Sequence, residues 1–397
     1  MPRGVAIIGS GMAKFGNRVN ESLMDLLKEA STKAIDDARI GDREIQAVYV
    51  SSMLVGELTN QTAVASALAD ELCLVPAAAD RIENGPASGG SAVKNAYLAV
   101  ASGEYDMALV AGGEKMRAAP GDKITDLIAT MTHPTAEYVN GVTLPSLAAL
   151  FTRLYMNKYG VERKHLAMIA VKNHANALQN PYAHLQRKVT LEGIYSSPEA
   201  EVNNPLIADP LRLFDMCPVS DGAASVLLCS MEMAKSFCDT PIAIAGFGQA
   251  TDIHAVSQRA DPTVLKAVQI SAQQAFKRAK LTPKDIDVAE LHDAFTILEI
   301  AESEHVGFFK KGEGGKAVLQ GKTRLNGQIP INVSGGLKAR GHPVGATGVA
   351  QVVDIVWQLR HELPKNRQVK NAQNGLTVNF GGFGNNVLAF VLRRVEQ

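Results

Sequence analysis

The sequence has little cysteine, no net charge and no long apolar run. Its 397 residues contain four cysteines, Cys73, Cys217, Cys229 and Cys238. They are too sparse for a disulfide scaffold and lack the spacing of zinc ligands, so a reduced, cytoplasmic location is expected. Forty Lys and Arg balance forty Asp and Glu, which leaves no field to draw nucleic acid or an anionic membrane. Nothing approaches the roughly 20 apolar residues of a membrane span. The opening MPRGVAIIGSG lacks the apolar length and cleavage pattern of a secretory signal. What is present is 46% apolar and 20% charged, the balance of a soluble globular protein. The chain is too long for one ordinary core, so two domains, or two halves sharing a core, are expected.

Internal repetition supports two halves. VAIIGSG (5–11) recurs as IAIAGFG (242–248), and AIDDARIGDREIQAVYV (34–50) as AFKRAKLTPKDIDVAEL (275–291). In the second pair Ala34, Ala38, Ile40, Ile45 and Val48 match Ala275, Ala279, Leu281, Ile286 and Ala289 in order. A third echo sets GPASGGSAVKNAYLAV (85–100) against GHPVGATGVAQVVDIV (341–356), each a Gly-rich loop opening a helix of small residues that leads to a strand. Three echoes in one order indicate duplication. Alternating strands and helices indicate α/β layers. The expected architecture is an N-terminal half (1–116 plus 208–240), a C-terminal half (241–397) and an insertion (117–207) acting as a lid or substrate-shaping subdomain. The insertion reads as irregular up to about Leu144 and helical beyond it, with a second helix ended by Asn180-Pro181.

The residues that can carry chemistry cluster at the ends of these echoes. His292 in LHDAF follows an apolar strand, and the C-terminal ends of strands in α/β proteins face the ligand cleft. It falls where the first half has Ser51. GLKARGHPVGATG (336–348) places His342 just before a helix start, where backbone N–H groups favour a nearby anion. A base beside such a helix end suits enolate or oxyanion chemistry. NFGGFGNN (379–386) is expected to bring the amides of Gly381 and Gly382 to the same cleft. The counterpart of His342 in the first half is Pro86 of IENGPASGG, which has neither a reactive atom nor a backbone N–H. The run GSGMAKFG (9–16) reads as a turn, because a dinucleotide fingerprint needs its third glycine elsewhere. EIAESEHVGFFKKGEGG (299–315) reads as a solvated helix and loop, and RRVEQ as a charged tail. The other histidines show no metal-ligand spacing, so no metal is expected.

Together these residues resemble the thiolase superfamily over essentially the full chain. The branch is similar to the sterol-carrier-protein and archaeal-type thiolases, which carry HDAF or HDCF. GHPVGATG matches a specific family motif, and ASGEYDMALVAGGEKM (101–116) and CPVSDGAA (217–224) also read as this family. The resemblance implies a five-layered αβαβα fold, a tight homodimer and acyl-CoA substrates. Coenzyme A is then substrate or product, with no covalently bound cofactor. It gives His342 the position of the base, and His292 that of the group polarising the thioester through an oxyanion hole. Asn379, with Gly381 and Gly382, takes the place of the CIGGG segment as oxyanion or substrate-binding residues. The nucleophilic cysteine of ENACASGG-like loops corresponds to Pro86, so the resemblance implies a site without an acyl-enzyme. Members of this branch also work with a small partner bearing an OB fold and a zinc ribbon.

Three functions fit a thiolase-like site without its nucleophile. The first is cleavage or formation of a C–C bond in a β-ketoacyl-CoA through a ternary complex with CoA, on a bulky aromatic substrate of the benzoylsuccinyl-CoA type. The second is retro-aldol cleavage of a β-hydroxyacyl-CoA, which needs a base and a stabilised enolate and no nucleophile. The third is a non-catalytic acyl-CoA-binding scaffold subunit, which has no need of two retained histidines.

Overall fold

The computed structural model describes residues 3–42 and 44–395. Its principal strands are β1 (Val5–Met12), β2 (Ala47–Ser51), β3 (Ala78–Ile82), β4 (Met107–Lys115), β5 (Asp221–Ser230), β6 (Ile242–Thr251), β7 (Val288–Glu290), β8 (Asn374–Gly381) and β9 (Asn386–Arg394). They pair in the order β3-β2-β4-β5-β1-β6-β9-β8-β7. The run β2-β4-β5-β1 is repeated by β7-β8-β9-β6, and the senses agree. β2–β4 and β7–β8 are parallel, and the other pairs within each run are antiparallel. The two runs meet through only two residue pairs, Ala6–Ala243 and Ile7–Ile242. The duplication read from the sequence is therefore a duplication of topology, with β3 added to the first copy.

Helices α1 (Leu23–Ala38) and α2 (Ser88–Ser102) belong to the first copy. The insertion supplies α3 (Gly121–Ala129), α4 (Leu144–Tyr159) and α5 (Arg163–Ala177). The second copy supplies α6 (Lys266–Ala279), α7 (Thr296–His305), α8 (Gly336–Arg340) and α9 (Val344–Arg360). α1 covers β1, β4 and β5 on one outer face, and α6 covers β6 and β9 on the other. Between the sheets α2 and α9 lie against each other. The result is five layers, helix–sheet–helix pair–sheet–helix. No described helix is long and apolar enough to cross a membrane.

The echoed glycines have a packing role. A Cβ on Gly9 would stand 2.0 Å from the Ala34 carbonyl oxygen, and one on Gly11 2.3 Å from that of Ala30. In the second copy, Gly246 and Gly248 would meet the carbonyl oxygens of Ala275 and Ser271 at 2.3 and 1.9 Å. Each helix backbone rests directly on its strand, which only glycine permits. The GSGM run is thus strand through Met12, and not the turn expected there.

Two further readings are corrected by packing. The stretch after Ala118 is not irregular: α3 occupies Gly121–Ala129, with Ile124, Leu127 and Ile128 at helical spacing facing the lid's apolar cluster. Within 299–315 the helical part is not solvated, because every residue of α7 is buried, while Gly307, Lys310, Lys311 and Glu313 of the loop are exposed as expected. The acids of α7 find partners inside: Glu299 bridges Lys172 at 2.7 Å, and Glu304 accepts from the N–H groups of Gly312 and Gly314. The inserted helices α4 and α5 are rooted in the second copy's core, where Phe151, Leu166 and Ile169 join Leu291, Ile297 and Leu337. Arg393 and Arg394 of the charged tail end β9, while Glu396 and Gln397 lie outside the described residues.

The strand–helix contact gives a stability prediction. Gly248→Ala forces β6 away from α6 and is expected to cost about 1–3 kcal/mol, read as a lowered urea midpoint at unchanged slope. An unchanged midpoint would show that the contact is slack.

Candidate active site

The site is built where α2 and α9 cross. A Cβ on Gly89 would lie 2.8 Å from Gly348 N, and one on Gly348 would lie 2.4 Å from Gly90 N. With no side chains between them, the two helix starts converge. Ala87 is the N-cap of α2 and Pro343 that of α9. Pro86 and His342 therefore occupy the same position, one residue before the cap, in the two copies. Gly85 (φ 54°) and Gly341 (φ 115°) make the left-handed turns that lead into them.

Asn379, at the end of β8, locks this crossing. Its Oδ1 accepts from Gly90 N at 3.0 Å, and its Nδ2 donates to the Pro86 carbonyl at 3.1 Å. Asn379 does not line the cavity, and both ends of its amide bond to the loop. Gly382 lines the cavity as expected, but Gly381 does not. Gly381 is held in register opposite Asn386, on an adjoining cleft with Asn84, Asn385 and His254, where an added Cβ would stand 3.2 Å from Ala87 Cβ.

The rings of His292 and His342 stand 5.0 Å apart, edge to face, at one end of a cavity of about 160 Å³. Pro86, Val344, Phe380 and Gly382 join them in its wall. Ile124, Ile128, Met131 and Leu144 of the insertion also line it. Both histidines are buried.

Their hydrogen bonds assign opposite tautomers. The Thr347 hydroxyl donates to the Pro343 carbonyl at 3.0 Å, so it accepts from His342 Nδ1–H at 2.6 Å. That leaves Nε2 of His342 with a free lone pair. His292 Nδ1 instead faces two donors, Phe380 N at 3.4 Å and Asn379 Nδ2 at 3.5 Å. Its proton is therefore on Nε2. One imidazole accepts and the other donates, as proton abstraction beside a developing oxyanion requires. Burial, with the Arg340 charge behind it, lowers His342 to about 3. Burial and the charges of His342 and Arg340 hold His292 well below the usual imidazole range. Both rings are neutral at pH 7.

The anion expected at the start of α9 is a side chain. Buried Glu114 accepts from Gly345 N at 3.1 Å, Met53 N at 2.8 Å, Leu54 N at 3.1 Å and Ser52 Oγ at 2.7 Å. Burial pushes its carboxyl up to about 7 against those bonds. Ser51, the echo of His292, donates to the Gly345 carbonyl at 2.7 Å and so ties β2 to the same helix start.

Comparison with known proteins reaches the same molecule. Residues 5–232 match the thiolase N-terminal domain, and residues 248–394 the thiolase C-terminal domain-like family. The chain belongs to the thiolase family. An acetyl-CoA acetyltransferase of Methanothermobacter thermautotrophicus is 44% identical over 392 residues, covering 99% of this chain and 100% of that one. The benzoylsuccinyl-CoA thiolase subunit BbsB of Thauera aromatica is 32% identical over 371 residues, covering 92% and 91%. Among solved structures, the Ltp2-ChsH2(DUF35) aldolase superposes with a TM-score of 0.83 at 24% identity, covering 100% and 99%. Within this thiolase-family frame, two supporting residues escaped the sequence reading. Glu302 accepts from His292 N at 2.9 Å and fixes that backbone from behind. Its carboxyl is pushed well above its usual range by burial, but it sits in the segment read as solvated. Thr347 lies inside the GHPVGATG motif, in the first turn of α9, where its hydroxyl bonds back to the Pro343 carbonyl and so stands beside the His342 ring.

The depressed pKa of His342 has a sign that can be tested. An unfolded histidine titrates near 6.5, and this one near 3 when folded. Between those values the unfolded chain binds the extra proton, so the contribution of His342 erodes as pH falls from 6.5 and is constant above it. The stability of wild type relative to His342→Gln is expected to fall by about 1.4 kcal/mol per pH unit below 6, measured by urea unfolding at several pH values. A difference independent of pH would mean that the ring titrates normally.

Proposed function

We propose that this thiolase-family protein is an acyltransferase that cleaves, or in reverse forms, a C–C bond of a β-ketoacyl-CoA without an acyl-enzyme. The observation that carries the reading is the pair of neutral, oppositely protonated imidazoles beside a proline. The acetyltransferase relative at 44% identity supports the reaction class. Pro86, read as standing where the family has its nucleophilic cysteine, can form no thioester. Cys217 also reaches the cavity, but burial pushes its thiol up to about 12, which leaves too little thiolate to replace that nucleophile.

In this mechanism His342 Nε2 takes the proton of a bound CoA thiol, whose pKa is near 8.5 when free. The thiolate attacks the β-carbonyl and forms the new thioester as the C–C bond breaks. The electron pair of that bond passes to the leaving acyl-CoA as its enolate. His292 Nε2–H donates to the enolate oxygen, and the proton held by His342 returns to the α-carbon. Two CoA esters leave and no cofactor is consumed. We further take the protein to work as a cytoplasmic homodimer, for which the open edge of β3 supplies a surface. A small OB-fold and zinc-ribbon partner completes this reading. The solved aldolase with two named components supports a heteromeric assembly.

A second reading is retro-aldol cleavage of a β-hydroxyacyl-CoA, favoured by a specific feature. His342 Nε2 and His292 Nε2–H are all that reaction needs, since the hydroxyl proton goes to the base and the enolate to the donor, with one CoA ester bound. The two are separated by supplying a β-ketoacyl-CoA with CoA, and a β-hydroxyacyl-CoA without it. CoA-dependent thioester formation with sequential kinetics is expected. Release of an aldehyde or ketone without CoA would transfer the assignment to the aldolase. Tight binding without turnover, in the presence of any partner, would make the protein a scaffold. His342→Ala is expected to lower kcat at least 100-fold with the fold intact, and full activity in that variant would remove the mechanism. Pro86→Cys is expected to become labelled by substrate acyl, detectable by mass spectrometry.

A further inference from the structure

We infer that the acyl group accepted by this cavity is uncharged, apolar and about the size of one aromatic ring, an inference that rests on the CoA-ester reading above. None of the residues lining the cavity is Asp, Glu, Lys or Arg. Apart from the two imidazoles, its polar side chains are Thr125 and Cys217. The Thr125 hydroxyl already donates to the Gly121 carbonyl at 2.8 Å, and the Cys217 thiol is neutral. The remaining surface is apolar or glycine, and Ile124, Ile128, Leu144, Leu298, Phe295 and Phe383 contribute to it.

The cations whose charge reaches the site stand behind its wall. Lys338 and Arg340 are 2% and 0% exposed, and neither lines the cavity. Arg340 is already bonded to Asp354, with Glu290 at 3.8 Å. Asp215 and Asp293 are near enough to act on Lys338 electrostatically. A carboxylate entering the cavity would thus lose its water and find no cation, with the one His292 N–H engaged by the reacting carbonyl, and such burial is costly. Size sets the other limit. An apolar cavity of about 150 Å³ holds one benzene molecule, and this one is about 160 Å³. The aromatic part of a benzoylsuccinyl-type substrate fits that space, whereas its free carboxylate has no partner there. The substrate therefore departs from that type at the acid group.

The test uses non-reactive CoA thioethers with the wild-type protein, followed by calorimetry. S-(4-methylbenzyl)-CoA is expected to bind at least tenfold tighter than CoA, and about 100-fold tighter than S-(4-carboxybenzyl)-CoA. S-dodecyl-CoA is expected to bind no tighter than S-hexyl-CoA. Equal affinity for the methyl and carboxy forms, or a steady gain out to the dodecyl chain, overturns the inference while leaving the CoA-ester reading standing. Failure of every ligand to bind, CoA included, overturns that reading itself.

Discussion

The contact between α2 and α9 is the constraint on which the site depends. At Gly89 and Gly348 the two helices approach until a single added methyl would strike backbone atoms of the other. That approach brings the two N-terminal ends to one place, so that a residue from each copy of the duplicated unit faces the same cavity. The amide of Asn379 is the bolt through the joint, spanning Gly90 N–H and the Pro86 carbonyl. Catalytic geometry here is set by the absence of side chains at a crossing as much as by the side chains in the cavity. Binding groups on such rigid elements stay in place when substrate arrives.

The chemistry then follows from two environments that treat similar rings differently. His342 is pinned through Nδ1–H to a hydroxyl whose own proton is committed elsewhere. His292 is pinned through an unprotonated Nδ1 to a backbone and an amide N–H. Burial and Arg340 keep both uncharged, which preserves one lone pair and one donor facing the cavity. A protonated pair would have neither a base nor room for a second positive charge 5.0 Å away. The apolar residues lining the cavity serve the same end by keeping the dielectric low, where a single hydrogen bond to an oxyanion is strongest.

Much of this was legible in the sequence because duplication writes the same pattern twice. The glycine echoes, the paired helix starts and the strand ending at His292 each had a second copy against which to be read. Residues whose roles depend on unrelated segments were not legible. Glu302, Glu299 and Glu304 lie on a helix with the charge content of a surface, and nothing local shows that Lys172 or two glycine amides await them. Asn379 was placed at the site, but a sequence does not reveal that both ends of its amide bond to the first copy's loop. The helix over 121–129 carried its apolar spacing plainly, and its flanking Pro120 and Gly121 obscured the start.

The narrow seam between β1 and β6, two residue pairs wide, has a consequence for how such a protein changes over time. Each copy owns its own ladder and its own outer helix, so the strands of one can vary apart from those of the other while the α2–α9 crossing holds the two helix starts together. A proline can settle at residue 86 while an imidazole persists at 342. A protein assembled from twin modules can in this way present unlike groups from equivalent places and keep both aligned on one cavity.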